Sequence, residues 1–328
     1  KHQIEFDNIT EDLKDSVVLI TGAGGSIGSE ISKQVVRFKP KLIILLDNNE
    51  YNLYKISNSL ESIIKAQNRN IEVLSSLISV VNKDRIDQLF KDFSPEIVFH
   101  AAAYKHLPIV ENNVIEAIVN NVNGTRNIIE SAKKFRAKKL ILISTDKAVR
   151  PTSVMGSSKR LAEMLVQAHA NNDREENDLL LSMVRFGNVL NSSGSIVPLF
   201  RKQINEGGPV TITHPDVTRY FMTIPEAVSL VLYSALISKG GEVFVLDMGK
   251  PVKIIDLARK MISLSGLTER TKENSFGDIE IKFVGLRKGE KIEEELLFDK
   301  DSMKVSKGIM IANEEFLNLP NLLEILDK

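Results

Sequence analysis

The chain has 328 residues with 43 basic and 43 acidic side chains, so its formal net charge is zero. This balance gives no sign of the basic surface that binds nucleic acid or an anionic membrane. The absence of cysteine excludes a disulfide framework, a thiolate nucleophile and a cysteine-ligated metal. The five histidines show no metal-ligand spacing, and no apolar run approaches the ~20 residues of a membrane-spanning helix. Since no signal peptide is visible, we expect a soluble cytoplasmic protein without a metal.

A glycine-rich loop stands near the start of the chain. After a polar lead-in at residues 1–15, an apolar strand at 16–20 runs directly into the sequence TGAGGSIG, and a helical pattern follows. The backbone N–H groups of such a loop and the N-terminus of its helix face the negative charge of a ligand. Because it follows the first strand, the loop predicts a dinucleotide site. Its members are Gly22 for the tight turn, Gly24, Gly25 for close approach of a pyrophosphate, Ser26, Ile27, and Gly28 for packing of the helix.

An acidic residue closes the second strand. Asp47 ends the apolar run 42–46, about 20 residues beyond the glycine loop, where a ribose-binding carboxylate is expected. It would accept hydrogen bonds from both hydroxyls of an adenosine ribose and would repel a 2′-phosphate. We therefore predict NAD rather than NADP as the cofactor. The alternative is an aspartate that merely ends a strand before Asn48 and Asn49.

A fourth predicted strand, at 97–99, ends in the sequence HAAAYKH at residues 100–106. It follows an amphipathic helix at 53–64 and a short strand at 71–74. The small side chains of Ala101 and Ala102 would let a cofactor lie flat against the backbone. Lys105 and His106 are candidates for substrate contacts, although each alone is also typical of a structural or solvated residue.

The strand at 140–143 leads into the stretch that carries most of the reactive groups. Ligands of open α/β sheets bind outside the carboxyl ends of strands, so Thr145, Asp146 and Lys147 lie where a reaction is expected. A helix follows and carries Met155 and Lys159 four residues apart, on one face. A hydroxyl, a carboxyl and two amines thus converge on one crevice, unless the stretch is a solvated strand-to-helix loop.

The second half of the chain continues the alternation of strands and helices. Strands are predicted at 179–184, 210–213, 243–246 and 279–284, and helices at 196–204, 227–236 and 254–264. The acidic run 293–295 is predicted to form a solvated helix face. The fold class is therefore α/β, a Rossmann-type doubly wound parallel sheet with a smaller α/β substrate-binding cap.

Seven ordered blocks occur between residues 17 and 297: TGAGGSIG (21–28), HAAAYKHLP (100–108), NNVNGT (120–125), STDKAVRPTSVMGSSK (144–159), RFGNV (185–189), TRYFMT (218–223) and GLRKGEK (285–291). With them the chain resembles the extended short-chain dehydrogenase/reductases, and among these the 4,6-dehydratases of UDP-N-acetylglucosamine. The subfamily that looks closest has a methionine, here Met155, where most relatives place the tyrosine of Tyr-x-x-x-Lys. A second departure is Ser79, where many relatives have an aspartate that contacts adenine.

The resemblance implies a reaction in three steps. A hydride leaves C4 of the sugar for NAD, water is lost across C5 and C6, and the hydride returns to C6. Lys147 would be the base at C5 and Asp146 the acid at C6. Thr145 would hold the C4 oxygen, and Lys159 would bind the nicotinamide ribose.

The resemblance also implies a binding site for UDP. Arg219 and Arg287 would engage the diphosphate with their guanidinium groups, while Asn188 and Glu290 would contact phosphate or the uridine ribose. For each of these four residues a surface salt bridge or a loop position is the alternative. Residues 1–187, completed by 219–250, would form the NAD-binding domain, and residues 188–218 and 251–328 the nucleotide-sugar-binding domain.

The implied product is a UDP-2-acetamido-2,6-dideoxy-4-keto-hexose with its C5 configuration retained, a precursor of a modified sugar for glycan or glycoprotein synthesis. A C5-inverting dehydratase, an epimerase or reductase on the same scaffold and a non-catalytic dinucleotide-binding module are the alternatives. Retention of Lys159 together with Thr145, Asp146 and Lys147 argues against the last. A homo-oligomer is expected. Because long relatives carry an N-terminal membrane region, the soluble part of a membrane-anchored protein is the alternative to a cytoplasmic enzyme.

The implied chemistry makes a demand on two pKa values. A lysine base must be neutral although its ordinary pKa is about 10.4, and an aspartic acid donor must hold a proton despite an ordinary pKa of about 3.9. Desolvation under a bound sugar shifts both pKa values in the required direction, whereas a direct ion pair between the two groups opposes the shift.

Overall fold

A computed structural model of the chain describes residues 10–172, 179–298, 302–306 and 308–327. The strands are β1 Val17–Thr21, β2 Leu42–Asp47, β3 Glu72–Leu77, β4 Ile97–His100, β5 Lys139–Ile143, β6 Leu180–Arg185, β7 Asn188–Leu190, β8 Val210–Ile212, β9 Thr218–Arg219, β10 Phe221–Thr223, β11 Val243–Leu246, β12 Val252–Lys253, β13 Glu269–Arg270, β14 Ile279–Phe283, β15 Ser302–Ser306 and β16 Ile309–Ala312. The helices are α1 Thr10–Leu13, α2 Ser26–Val35, α3 Glu50–Ala66, α4 Lys83–Phe93, α5 Leu107–Val110, α6 Val114–Ala117, α7 Gly124–Lys134, α8 Val154–Asn172, α9 Ile196–Asn205, α10 Ile224–Ile237, α11 Ile254–Leu264 and α12 Leu319–Leu326. Short 3₁₀ turns lie at Val36–Phe38 and Asp146–Ala148, and a π-helical turn at Ile118–Asn123.

One large sheet organises the molecule, with the strand order β15-β16-β11-β6-β5-β4-β1-β2-β3. The strands from β11 to β3 pair in parallel, and β15 and β16 add two antiparallel strands at one edge. The strand order reverses between β1 and β4, which is where ligands of doubly wound sheets bind. The predicted α/β class with a Rossmann-type sheet is confirmed.

Both faces of this sheet are covered by helices. One face packs against α2, α3 and α10, and the other against α4, α7, α8 and α12. Strands buried on both faces are apolar along their whole length, as in β2, where all six residues are buried. This explains why short apolar runs without alternation predicted the parallel strands correctly.

A smaller unit of three strands lies apart from the large sheet. Its strand order is β13-β14-β8, and it packs against α9 and α11 through a separate apolar cluster that includes Phe200, Ile212 and Ile262. Residues 302–306 and 309–312, which were predicted to lie in the nucleotide-sugar-binding domain, instead extend the large sheet as β15 and β16. They do so because β11 leaves an edge with unpaired backbone groups that a returning strand can pair with. No helix in the described ranges is long and apolar enough to cross a bilayer.

Candidate functional site

Three neighbouring cavities lie at the carboxyl ends of the central strands, with volumes of about 690, 270 and 150 Å³. The first is bordered by the glycine loop, Asp47 and Ala102. The second is bordered by Ile27, Lys105, His106, Thr145, Lys147, Met155, Lys159 and Asn188. The third is bordered by Lys147, Arg219, Arg287 and Glu290. Lys105 and His106 also border the first cavity, and Lys147 borders the second and third. Of the predicted site residues, Gly28, Ala101 and Asp146 border none of these three.

The glycine loop has the geometry of a turn against which a ligand can lie closely. Gly22 has a φ of +64°, and a Cβ there would lie 2.7 Å from the backbone N of Ala102. A Cβ on Gly28 would lie 2.1 Å from the Gly22 carbonyl oxygen, so α2 can begin at Ser26 only if residue 28 is glycine. The predicted reasons for glycine at 22 and 28 therefore hold in the structure.

Asp47 lies at the end of β2 beside this loop, and its side chain is buried. Its Oδ2 accepts a hydrogen bond from the Gly24 N–H at 2.9 Å, and its Oδ1 accepts one from the Asn49 N–H at 2.9 Å. The carboxylate thus fixes the loop conformation and borders the 690 Å³ cavity at the same time. A cavity with this acid, the loop N–H groups and small residues at 102–103 fits a dinucleotide such as NAD.

A buried polar network lies beneath the cavity and was not predicted. Thr21 Oγ1 lies 2.7 Å from His100 Nδ1, and His100 Nε2 lies 3.0 Å from Thr125 Oγ1. Since Thr125 donates its own proton to the Asn121 carbonyl at 2.6 Å, His100 must donate from Nε2 and accept at Nδ1. Burial lowers the pKa of His100 to about 3, with a smaller contribution from Lys159, so the ring stays neutral.

Asn121 holds the loop that separates the two larger cavities. Its side chain accepts a hydrogen bond from the Tyr104 N–H at 2.7 Å and donates to the Tyr104 carbonyl at 3.0 Å and to Ser158 Oγ at 3.0 Å. Asn121 lies in the π-helical turn Ile118–Asn123, and such turns often occur at functional sites. In the sequence, the block NNVNGT at residues 120–125 is the motif that contains Asn121 and Thr125 and so indicates these hydrogen bonds.

The turn that follows β5 directs the side chains of Asp146 and Lys147 to different environments. Thr145 caps the 3₁₀ turn Asp146–Ala148, which buries Asp146 completely and directs Lys147 to the cavities. Asp146 Oδ1 accepts hydrogen bonds from Thr145 Oγ1 at 2.9 Å and from Lys147 Nζ at 2.9 Å. Asp146 Oδ2 faces Gly187 and has no hydrogen-bond partner among the described residues. Of these two side chains, only Lys147 therefore borders the crevice.

Lys147 is surrounded by acidic groups. Its Nζ donates to Asn188 Oδ1 at 3.2 Å and lies 3.5 Å from Glu294 Oε1, in addition to its pair with Asp146. Burial lowers the pKa of Lys147, but Asp146 and Glu294 outweigh it and raise the pKa above its ordinary value, with Arg219 opposing them. The direct ion pair thus opposes a neutral amine in the absence of substrate, as physical reasoning requires.

The helix after this turn places two predicted residues on the crevice. Lys159 is buried and donates from Nζ to the Ile143 carbonyl at 2.7 Å. Burial lowers the pKa of Lys159 to about 8, although Glu163 opposes the shift. Met155 is 3% exposed and packs with Val110 and Ala117, so an apolar side chain occupies this position of the cavity wall.

The smallest cavity is bordered by three of the four predicted UDP-binding residues, Arg219, Arg287 and Glu290, whereas Asn188 borders the 270 Å³ cavity. Arg219 donates to Glu290 Oε1 at 3.1 Å and to the carbonyls of Thr218, Lys291 and Ile292. Glu290 also accepts hydrogen bonds from Thr213 Oγ1 at 2.9 Å and from the Arg287 N–H at 3.1 Å. Both side chains therefore hold the cavity wall together, whereas the Arg287 side chain is exposed at the cavity.

The prediction that 293–295 forms a solvated helix face is wrong. This segment is not helical, and Glu294 is 7% exposed, because it turns inward toward Lys147 and Arg219. Its Oε2 has no hydrogen-bond partner within the described part of the chain. An acidic run in sequence cannot indicate that one member faces buried cations from distant elements.

A second buried cluster supports the end of β5. Arg185, fully buried at the end of β6, donates to Glu163 at 2.7 and 2.5 Å and to Glu314 at 2.7 Å. Glu163 also accepts a hydrogen bond from Ser144 Oγ at 2.6 Å, directly before Thr145. This cluster was not predicted, because its members come from β6, α8 and the residues after β16. No group of acidic or histidine side chains suited to a metal ion occurs among the described residues.

Comparison with known proteins places these features in a wider group. The chain matches the family described as "Polysaccharide biosynthesis protein" over residues 18–314. It is 51% identical to the capsular polysaccharide biosynthesis protein CapD of Staphylococcus aureus over 295 residues, which are 90% of this chain and 47% of CapD. It is 33% identical to UDP-glucose 4-epimerase of Rickettsia canadensis, covering 88% of this chain and 80% of that protein.

Solved structures include a close match in fold. The X-ray structure of Pen from Bacillus thuringiensis superimposes with a TM-score of 0.80 at 32% identity, covering 94% of this chain and 92% of that chain. The present chain spans about half the length of CapD (47%). The comparison therefore concerns one part of that longer relative.

Proposed function

The chain belongs to the polysaccharide biosynthesis protein family, and from that premise we propose that it removes water from a nucleotide sugar. The proposed substrate is UDP-N-acetylglucosamine and the proposed cofactor is NAD. The product is a UDP-2-acetamido-2,6-dideoxy-4-keto-hexose with its C5 configuration retained. The observation that carries the proposal is the Asp146–Lys147 pair, 2.9 Å apart at the end of β5 beside the 270 Å³ cavity.

The cavities suggest how the substrate is arranged. Lys147 borders both the 270 Å³ and the 150 Å³ cavity, so it can contact a sugar in the first whose diphosphate enters the second. Arg287 contacts the diphosphate, because its side chain is exposed there, and Arg219 holds the wall through Glu290. The glycine loop, Asp47 and Ala102 would hold NAD in the 690 Å³ cavity, where the cofactor would supply a hydride acceptor for C4 and a hydride donor for C6.

The protons of the reaction are handled by three adjacent side chains. Asp146 Oδ1 accepts hydrogen bonds from Thr145 and Lys147, so the buried carboxylate is connected to two groups at the crevice. Transfer of one proton from the Lys147 ammonium to Asp146 gives a neutral amine and a carboxylic acid without changing the total charge. The amine then takes the C5 proton, and the acid gives its proton, relayed through the Thr145 hydroxyl because Asp146 borders no cavity, to the hydroxyl that leaves C6 as water. The proton of the C4 hydroxyl leaves to solvent during oxidation, and the Lys147 ammonium returns a proton to C5 when the hydride reaches C6. Lys147 then regains a proton from solvent, which restores the starting ion pair.

A nucleotide-sugar 4-epimerase is the second candidate, since a relative of 33% identity bears that name. A 4-epimerase is expected to keep the tyrosine of Tyr-x-x-x-Lys and has no need of an acid and a base at C6 and C5. Met155 cannot accept a proton, and it is packed in an apolar cluster. These features favour the dehydratase.

Analysis of the product separates the two candidates. With UDP-N-acetylglucosamine and catalytic NAD, we expect loss of one water per sugar, a 4-keto group and a C6 methyl group in the NMR spectrum. Because the hydride is returned, reduced nicotinamide should not accumulate during turnover. An isomer with its C6 hydroxyl intact would identify an epimerase, and stoichiometric reduced nicotinamide would identify a simple dehydrogenase.

Replacement of Asp47 tests the proposed cofactor. Asp47→Ser removes the carboxylate that would repel a 2′-phosphate, so we expect the preference for NAD over NADP to narrow by tenfold or more, on the order of 1.4 kcal/mol. Cofactor dissociation constants for both nucleotides measure this change. Asp84→Ser, which changes an exposed aspartate in the first turn of α4, is the matched control and should leave the ratio unchanged. Tighter binding of NADP than NAD by the unmodified protein would show that the assignment is wrong.

A further inference from the structure

Glu294 is a buried carboxylate with few partners. It is 7% exposed, its Oε2 has no hydrogen-bond partner in the described ranges, and its Oε1 lies 3.5 Å from Lys147 Nζ and 3.9 Å from Arg219 Nε. A buried charge without hydrogen bonds is costly unless nearby opposite charges compensate. The two cations are therefore the groups that compensate the burial of the Glu294 carboxylate.

Glu294 and its neighbours form an alternating row of charges, and all members of the row except Asp146 border the smallest cavity. The row runs from Asp146 to Lys147, Glu294, Arg219 and Glu290, with each member in an ion pair with the next. Arg219 is fixed by backbone carbonyls and Glu290, and Asp146 is fully buried. Lys147 is the member that borders both the sugar cavity and the diphosphate cavity.

We propose that Glu294 is a positioning residue that holds the Lys147 amine at the junction of the two cavities and offers it an alternative partner to Asp146. The consequence for the reaction rests on the proposed function; the contact itself does not. Movement of the Lys147 amine toward Glu294 would break its 2.9 Å pair with Asp146 and still leave the amine paired with the Glu294 carboxylate. The same carboxylate stabilises the charged form of the amine, together with Asp146 and against Arg219.

The proposal predicts a change in the titration of Lys147. Glu294→Gln keeps the size of the side chain and removes its charge, so the pH at which Lys147 loses its proton should fall. Nζ chemical shifts of ¹³C,¹⁵N-labelled lysine, assigned with a Lys147→Arg variant, give this midpoint without substrate. Glu293→Gln removes the same charge from the exposed neighbour and should leave the midpoint unchanged.

The rate of dehydration gives the second readout. If Lys147 is the base, the pair must keep the proton that Lys147 passes to Asp146, so the falling limb of the kcat profile at high pH should move to lower pH in Glu294→Gln by the same amount as the midpoint. If Glu294 only stabilised the fold, Glu294→Gln would lower kcat without changing the pH at which kcat falls. Should Glu294→Gln not fold, as judged by circular dichroism, Glu294→Asp retracts the charge and should move the midpoint in the same direction by less.

The outcomes separate the two proposals. An unchanged midpoint in a folded Glu294→Gln protein overturns the inference, whatever the protein catalyses. A lowered midpoint in a protein that does not dehydrate UDP-N-acetylglucosamine supports the contact and refutes the proposed function. A lowered midpoint with an unmoved kcat limb refutes the role of Glu294 in the reaction.

Discussion

Lys147→Ala is expected to lower the rate of dehydration by about 10²–10⁴-fold, the contribution of a positioned acid–base group, or roughly 3–5 kcal/mol of barrier. The physical reason is that loss of water needs a base at C5. Lys147 is the amine that borders both the 270 Å³ cavity, proposed to hold the sugar, and the 150 Å³ cavity, proposed to hold the diphosphate. Oxidation at C4 does not need this base. Absorbance of reduced nicotinamide should therefore still rise on the variant enzyme after substrate is added, while no dehydrated product is released.

Isotope labelling sharpens this prediction. In deuterated water the unmodified enzyme should place solvent deuterium at C5, while the hydrogen from C4 appears at C6.

Lys202→Ala, which removes an exposed lysine on α9, is the control for loss of one positive charge and should turn over normally. Near-normal turnover of Lys147→Ala, or product from the unmodified enzyme without deuterium at C5, would exclude Lys147 as the base.

Arg185→Met is expected to lower the free energy of unfolding by about 3–5 kcal/mol, because it leaves two buried carboxylates with only the more distant Arg160 as a cation. Arg185 is fully buried between Glu163 and Glu314. Burial raises the pKa of Glu163, but Arg185 and the Ser144 hydroxyl outweigh it and hold that pKa below its ordinary value. Urea denaturation followed by circular dichroism measures the loss.

The loss of unfolding free energy in Arg185→Met should depend on pH. A lowered carboxylate pKa contributes stability above the ordinary value of about 4.3, and this stability is lost as pH falls through the lowered pKa. Without Arg185 the Glu163 pKa is no longer held down, so the difference in free energy of unfolding between variant and unmodified protein should shrink as pH falls toward the lowered pKa of Glu163. Arg259→Met breaks the half-exposed pair with Glu269 and should cost at most about 1 kcal/mol. An equal cost for the two variants would contradict the prediction.

The sequence by itself determined those features that local physics controls. Parallel strands buried on both faces must be apolar throughout, so β2, β5 and β11 could be located from short runs of apolar residues. The glycine loop was equally readable, since Gly22 adopts a φ that other residues avoid and Gly28 lies too close to the turn for any side chain. The position of the Asp146–Lys147 pair followed from the rule that ligands bind at the carboxyl ends of strands.

Only the tertiary structure decided which polar groups meet beneath and beside the crevice. Glu294 lies 147 positions after Lys147 in the chain, and Glu314 lies 129 positions after Arg185. Pairing over such separations leaves no periodicity in the sequence, because each partner is placed by the packing of its own element. The same is true of Asp146, which the 3₁₀ turn buries while its neighbour Lys147 faces the cavities. Charge states in the site depend on these distances, and for that reason they follow from the fold and not from the order of residues.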